Sequence, residues 1–181
     1  MRIRREEAAV LLIDVQQRLL PMVEHPETLM KRTLVLLKGL DLLEVPVALT
    51  EQYPKGLGQT VERLLPWKQK HPCFEKISFS CLDSGEVRSW LESQGRPQVI
   101  LMGIEAHVCV MQTCTDLLEA GYQPVLVADC VSSRHKVDMD VAMERMRQEG
   151  AVVTTAESLL FELTRTAAAG LFKNISALVK Y

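Results

Sequence analysis

Short apolar runs rich in Val, Leu and Ile alternate with longer helical patterns along this chain of 181 residues, and this alternation constrains its fold most. Near-continuous apolar strands are typical of a parallel sheet covered by helices on both faces. The expected strands are 8–14, 45–51, 98–104, 124–129 and 151–155, with a short edge strand near 75–78. Right-handed crossovers then predict a three-layer αβα fold, a doubly wound Rossmann-like parallel sheet of order 3-2-1-4-5-6.

The segments between the strands supply the helices of this fold. Helices are expected at 28–43, 84–93, 109–120 and 136–148, with shorter ones near 158–164 and 172–179. Residues 53–81 differ, because scattered Pro and Gly predict a looped excursion with a short helix. Such a loop often carries functional residues, although a plain surface loop is the alternative. No linker or repeat divides the chain, so we expect a single domain over 1–181.

Composition narrows the class of protein. Apolar residues make up 48% of the chain, yet no run is long enough to span a bilayer. The formal charge is −2 and no basic run interleaved with aromatics occurs, which argues against nucleic-acid partners. The run 8–13 is too short for a secretory signal, and five cysteines without a C-x-x-C pattern suggest no disulfide framework. We therefore expect a cytoplasmic protein with no membrane or nucleic-acid partner.

Asp14 and Cys109 stand where a parallel sheet binds ligands, outside the carboxyl ends of its strands, and Lys76 lies near the end of the excursion at 53–81. Cys109 is expected to open a helix, whose positive end favours a thiolate, although free cysteine is more often a small buried hydrophobe. Asp14 ends the first strand, where a cap or turn residue is the plainer interpretation. Lys76 is either a solvated lysine paired with Glu75 or a cation that keeps Asp14 ionised.

Four motifs follow one another in a specific order and spacing. They are Leu-Leu-Ile-Asp-Val-Gln at 11–16, Phe-Glu-Lys-Ile-Ser-Phe-Ser at 74–80, Gly-Ile-Glu-Ala-His-Val-Cys-Val at 103–110 and Asp-Cys-Val-Ser-Ser-Arg at 129–134. Over nearly the whole chain they resemble the isochorismatase-like cysteine hydrolases, which include nicotinamidases and related amidohydrolases. The segment 49–58, Leu-Thr-Glu-Gln-Tyr-Pro-Lys-Gly-Leu-Gly, resembles the subgroup of isochorismatase domain-containing proteins.

The resemblance implies a catalytic triad of Asp14, Lys76 and Cys109. Asp14 would take the thiol proton, Lys76 would keep the carboxylate anionic, and the thiolate would attack a carbonyl carbon to form a thioester. The family's oxyanion hole maps onto the backbone N–H groups of Glu105 and Cys109. Its cis peptide bond before the first of these residues maps onto Ile104–Glu105.

Two departures from the family limit what the resemblance implies. Nicotinamidases hold a metal through an Asp-x-His pattern, whereas 51–53 supplies no histidine, so no metal and no cofactor is expected. True isochorismatases cleave a vinyl ether without this cysteine, so Cys109 favours a small amide or a related carbonyl compound. The side chains expected to face a small-molecule substrate are Gln16, Leu19, Tyr53, Phe79, Ile104, His107 and Val108.

Two other functions stay open. A binding or interaction protein could use the same fold and triad without turnover, because fold does not fix function. A redox pair of Cys109 and Cys114 is a weaker alternative, since residues five apart on a helix point in different directions. Apolar surface on the later helices, with Phe172, predicts a homo-oligomer, which is also common in the family.

Overall fold

A six-stranded parallel sheet forms the centre of the protein in the computed structural model, which describes residues 1–180. Its order, β3-β2-β1-β4-β5-β6, confirms the order 3-2-1-4-5-6 predicted from the sequence. The strands are β1 Ala8–Ile13, β2 Val47–Gln52, β3 Cys73–Lys76, β4 Gln98–Ile104, β5 Gln123–Ser132 and β6 Val152–Thr154. β5 passes beyond Asp129, the expected end, because after a register shift it pairs again with β4, with Val131 opposite Gly103 and Ser132 opposite Ile104.

Helices cover both faces of the sheet. They are α1 Pro26–Leu42, α2 Pro54–Leu57, α3 Leu65–Lys70, α4 Gly85–Gln94, α5 Met111–Glu119, α6 Lys136–Glu149, α7 Ala156–Thr164 and α8 Phe172–Val179. α1 begins two residues before the expected start, at Pro26, whose fixed φ suits a first helical turn. Within residues 1–180, no helix combines the length and the apolar composition needed to cross a membrane.

Two apolar cores lie on the two sides of the sheet, because successive strand residues point to opposite faces. Val10 and Leu12 pack with α1, α7 and α8 in what we call the first core. Leu11 and Ile13 pack with α4, α5 and α6 in the second core. All six residues of β1 are buried, as a central strand of a three-layer fold requires. This arrangement confirms the predicted αβα class.

The carboxyl ends of β1, β2 and β4 meet at one edge of the sheet. Ile13 is the register partner of Thr50 on one side and of Gly103 on the other. A Cβ on Gly103 would lie 2.1 Å from the carbonyl oxygen of Ile13, and its φ is +122°, so only glycine allows this approach. The residues that follow these strands are therefore brought together.

The segment after β4 begins differently from the expected helix at 109–120. A π turn, Ala106–Val110, leads directly into α5, so Cys109 is the fourth residue of that turn and does not open the helix. Glu105 occupies the N-cap position without a side-chain cap bond. No Ser, Thr, Asp or Asn marks this start in the sequence, which is why it was placed too late.

Candidate active site

Asp14 directly follows β1 and lies at the centre of a group of buried polar side chains. Strand alternation would place its side chain in the first core with Leu12, but its φ of 53° turns the chain and directs the carboxylate to the other side. There Oδ1 accepts the Thr50 hydroxyl at 2.7 Å, and Oδ2 accepts the Lys76 ammonium at 2.6 Å. The side chain is fully buried, so these donors replace water around the carboxylate.

Lys76 is the last residue of β3, and its ammonium lies in the same buried polar group. Its side chain is 1% exposed, which rules out a solvated lysine paired with Glu75. Burial by itself lowers the pKa of Lys76, but the Asp14 carboxylate and then the nearby thiols raise it, and the net shift is upward. Lys76 is therefore a cation at neutral pH, held by Asp14.

The Cys109 thiol lies close enough to the Asp14 carboxylate for that charge to act on it directly. Burial and then Asp14 raise the pKa of the Cys109 thiol far above its ordinary value, while Lys76 acts in the opposite direction. Burial is therefore the largest influence on this thiol, and it acts against the thiolate that the helix start was expected to favour. A buried thiol beside a carboxylate must transfer its proton before the sulfur can attack.

A second cysteine, Cys81, lies beside the same group and was not singled out from the sequence. Its backbone N–H donates to the Thr113 hydroxyl at 2.9 Å, and that hydroxyl donates to the Cys109 carbonyl at 2.7 Å. Its sulfur lies 3.9 Å from the Thr50 hydroxyl oxygen. Burial and then Asp14 raise the pKa of Cys81 to about 11. Thr50 could have been found from the pairing of β1 with β2, which places it next to Ile13.

Glu105 and His107 border the π turn that carries Cys109. The peptide bond between Ile104 and Glu105 is cis, as the family resemblance implies. Oε2 of Glu105 accepts the backbone N–H and the Nε–H of Arg134, both at 3.1 Å, so its charge is paired. Nδ1 of His107 lies 2.9 Å from the Ser133 hydroxyl oxygen.

The side chains expected to face a ligand divide into two groups. Tyr53 and Phe79 are 49% and 52% exposed, and His107, Leu19 and Val108 are partly exposed. Ile104 is fully buried in the first core, on the side of the sheet opposite Cys109, as strand alternation from Met102 would have predicted. Gln16 is also fully buried, and its amide bonds backbone groups of Gln52 and Gly58. Neither side chain is open to a ligand.

Metal ligands are not gathered anywhere in residues 1–180, since no group of three or more His, Cys, Asp or Glu is placed to hold an ion. Glu51, at the end of β2, accepts the backbone N–H and the hydroxyl of Thr60 at 2.7 and 2.6 Å. Its same oxygen accepts the Lys68 ammonium at 2.5 Å. This carboxylate is therefore paired with an amino group of the chain itself.

The chain is similar to known proteins over nearly its whole length. The family model described as the isochorismatase domain matches residues 8–158. Isochorismatase domain-containing protein 2A of Mus musculus is 39% identical over 99% of this chain and 85% of its own length. The structure of MAR1 ribonuclease from Caenorhabditis elegans is 35% identical, with a TM-score of 0.91 over 99% of this chain and 92% of that one. The YcaC gene product of Escherichia coli, described as an octameric hydrolase of unknown specificity, is 25% identical, with a TM-score of 0.93 over 98% and 89%.

Proposed function

The chain belongs to the isochorismatase domain family and is a hydrolase of that family, and from this premise we propose a metal-independent cysteine hydrolase that cleaves a small amide or a related carbonyl compound. The observation that carries the proposal is the Asp14 carboxylate, which accepts the Lys76 ammonium at 2.6 Å and lies beside the Cys109 thiol. A thiol, a base and a cation that orients the base are the parts that activated sulfur requires.

The first half of the reaction forms a thioester. Asp14 takes the Cys109 proton as the sulfur bonds to the carbonyl carbon, and the carbonyl π electrons move to oxygen. The backbone N–H groups of Glu105 and Cys109 stabilise that oxyanion, and one such donor is worth about 10²–10³ in rate. When the carbon–nitrogen bond breaks, the leaving amine takes the proton from Asp14 and departs as ammonia or an amine.

The second half regenerates the thiol. Water attacks the thioester carbon and gives a proton to Asp14, and the carbon–sulfur bond then breaks to release a carboxylic acid. The proton on Asp14 returns to Cys109. Lys76 stays cationic throughout, and its role is to hold the carboxylate in place and anionic between steps.

The substrate class follows from the groups around Cys109. Asp14 and Glu105 are already paired with Lys76 and Arg134, and Tyr53 and Phe79 offer exposed aromatic surface. These groups suit a small neutral or aromatic amide. RNA, which the name of the Caenorhabditis elegans relative suggests, is less favoured, because the chain carries a formal charge of −2 and no basic run.

Ammonia release from a panel of small amides tests the proposal, with Cys109→Ala as the blank and Cys73→Ala as a matched cysteine control. We expect at least one amide to be cleaved by the wild-type and Cys73→Ala proteins and by neither Cys109→Ala nor buffer. A single-stranded RNA substrate belongs in the same assay. Turnover that survives Cys109→Ala, or cleavage of RNA alone, contradicts the proposal.

A non-catalytic binding protein is the second candidate, because the raised pKa of the Cys109 thiol would also suit a protein that never uses it. Trapping distinguishes the two. An enzyme should form a covalent adduct at Cys109 with an amide-like electrophile at near-neutral pH, visible as a mass increase. An inert thiol, together with saturable binding of a small molecule, favours the binding protein.

The setting of the enzyme is part of the proposal. We propose one domain over residues 1–181, because both cores share one sheet, and a reducing cytoplasm, because all five cysteines are free. Self-association is also proposed, although Phe172 packs on Phe161 at a centroid distance of 6.2 Å. On the later helices the exposed large apolar side chains are Val137 and Val141, one turn apart on α6. Sedimentation showing only monomer at micromolar concentration would contradict self-association.

A further inference from the structure

We propose that Gln52 is a positioning residue of the active site, which holds the Lys76 ammonium against Asp14 without adding a charge, and that Gln16 locks Gln52 in place. This inference rests on the proposed function, since it concerns the same Asp14, Lys76 and Cys109. It extends the function by naming what orients the lysine. Gln52 acts through Lys76 and needs no contact with substrate.

The Gln52 side chain can accept a hydrogen bond from the Lys76 ammonium in only one orientation of its amide. Gln52 and Lys76 are register partners on β2 and β3, so their side chains stand next to each other. Oε1 of Gln52 accepts the ammonium at 2.9 Å, while Nε2 donates to the carbonyl of Ile77 at 2.5 Å. A flipped amide would point two donors at the ammonium and an oxygen at a carbonyl, so the bonds on both ends fix the acceptor towards Lys76.

The Gln16 side chain holds Gln52 through hydrogen bonds to its backbone. Its Oε1 accepts the Gln52 N–H at 2.7 Å, and its Nε2 donates to the Gln52 carbonyl at 2.9 Å and to the Gly58 carbonyl at 2.6 Å. Both glutamines are buried. Gln16 thus fixes the backbone of the residue whose side chain binds Lys76, and Lys76 in turn binds Asp14 next to Cys109.

A neutral acceptor suits position 52 because a second carboxylate there would share the single cation, the Lys76 ammonium, with Asp14. The ammonium has four oxygen neighbours, and only Asp14 among them is charged; Gln52 and the carbonyls of Ser78 and Phe79 at 3.2 and 3.1 Å are neutral. A carboxylate at position 52 would compete with Asp14 for Lys76 and disfavour a thiolate at Cys109. An apolar residue there would free the ammonium to move away from Asp14.

The test measures how fast iodoacetamide alkylates Cys109 between pH 7 and pH 9, resolved by peptide mass, because this readout needs no substrate. Gln52→Met removes the acceptor at similar volume. Gln98→Met is the matched control: Gln98 is also buried and bonds the backbone of Arg2 and Arg4 at 2.9 Å, but it lies at the opposite end of the sheet. Partly exposed Cys73 serves as the internal reference.

We expect Gln52→Met to alkylate about three- to tenfold more slowly at every pH, as a rise of half to one unit in the thiol's pKa implies. Gln52→Glu, which keeps an oxygen and adds a charge, should be slower still, and Gln98→Met should match wild type. A folded Gln52→Met at the wild-type rate overturns the inference, as does an equal loss in Gln98→Met. If Gln52→Met fails to fold, Gln52→Glu at the wild-type rate overturns it. Absence of any amide turnover would contradict the proposed function but leave this result intact.

Discussion

Two buried carboxylates on opposite sides of β2 have the same kinds of neighbours and differ in how those neighbours are arranged. Asp14 accepts the Lys76 ammonium at 2.6 Å, and Glu51 accepts the Lys68 ammonium at 2.5 Å. The Lys76 side chain is 1% exposed and the Lys68 side chain is 25% exposed. Water therefore screens the second pair, while the first keeps a strong interaction at a high cost in desolvation.

The region around Asp14 and the region around Glu51 differ most in how the nearby thiol is placed. Asp14 accepts Thr50 on one oxygen and Lys76 on the other, and it lies beside the Cys109 thiol. Glu51 receives its bonds from Thr60 and Lys68 on one oxygen, and the nearby Cys73 thiol lies beside the Thr60 hydroxyl instead of the carboxylate. Acid, lysine, threonine and cysteine occur in both regions, so residue types alone do not make an active site. A direct path for the thiol proton to the acid does.

Neutralising each acid separates the two regions most strongly. Asp14→Asn removes the base and should lower kcat/KM on the order of 10²–10⁴. Glu51→Gln should stay within about threefold of wild type, because no thiol proton depends on that group. Steady-state kinetics on the best amide from the panel measures both. An equal loss in Glu51→Gln would show that the two regions work together.

Replacing each lysine by methionine tests how burial changes the contribution of its ion pair to stability. Lys76→Met leaves a fully buried carboxylate without its cation and should destabilise the fold by about 3–5 kcal/mol. Lys68→Met should cost about 1 kcal/mol, because that pair is partly hydrated and Glu51 keeps its two bonds from Thr60. Urea unfolding at neutral pH gives both values. Equal costs would mean that water screens the two pairs alike.

Alkaline pH should weaken the fold through both thiols. Burial and then Glu51 raise the pKa of Cys73 from its ordinary 9.0 to about 11, and the pKa of Cys109 is raised further. A raised pKa means that the folded state holds the proton more tightly, so this stability is complete below pH 9.0 and is lost as pH rises towards the raised value. Cys109→Ala should flatten the decline in unfolding free energy by up to about 1.4 kcal/mol per pH unit.

Cys73→Ala should flatten the same decline by less, because that thiol is partly exposed and solvent screens its neighbours. Urea unfolding at half-unit steps from pH 8 to pH 10.5 resolves the two slopes. If the decline is unchanged in Cys109→Ala, the thiol is not held by burial and Asp14 as described.

Replacing Thr50 and Thr60 should give the smallest difference between the Asp14 region and the Glu51 region. Thr50→Val removes one donor from Asp14 and should slow turnover about fivefold, the equivalent of about 1 kcal/mol for one hydrogen bond. Thr60→Val should destabilise the fold by a similar amount and leave turnover unchanged, since the Thr60 backbone N–H still binds Glu51. Turnover and unfolding measured on both variants complete the comparison, and reversed effects would contradict it.

The fold could be predicted from the sequence because its signals are local and repeated. Apolar strands alternate with helices, and right-handed crossovers leave few orders for such a sheet. The errors lie at element ends, where tertiary contacts decide. β5 continues past Asp129 because it pairs again with β4 after a register shift, and the π turn begins at Ala106 without a capping residue.

The candidate site could be predicted only as a set of residues. Asp14, Lys76 and Cys109 follow from the motifs, and their convergence follows from parallel strands that end at one edge. Gln16 and Ile104 were expected at a ligand surface and are buried away from it. Their placement depends on hydrogen bonds between distant segments and on the face of the strand that each residue occupies, which motif order does not reveal.

By itself, the sequence determined the sheet, its strand order and the residues that end its strands, because these depend on apolar periodicity and chain direction. Only the tertiary structure decided the state of those groups. The pKa of Cys109 depends on how completely water is removed and on how close Asp14 and Lys76 approach. Such distances are fixed by packing between residues far apart in the chain, so only the tertiary structure shows that burial and Asp14 raise the pKa of the Cys109 thiol.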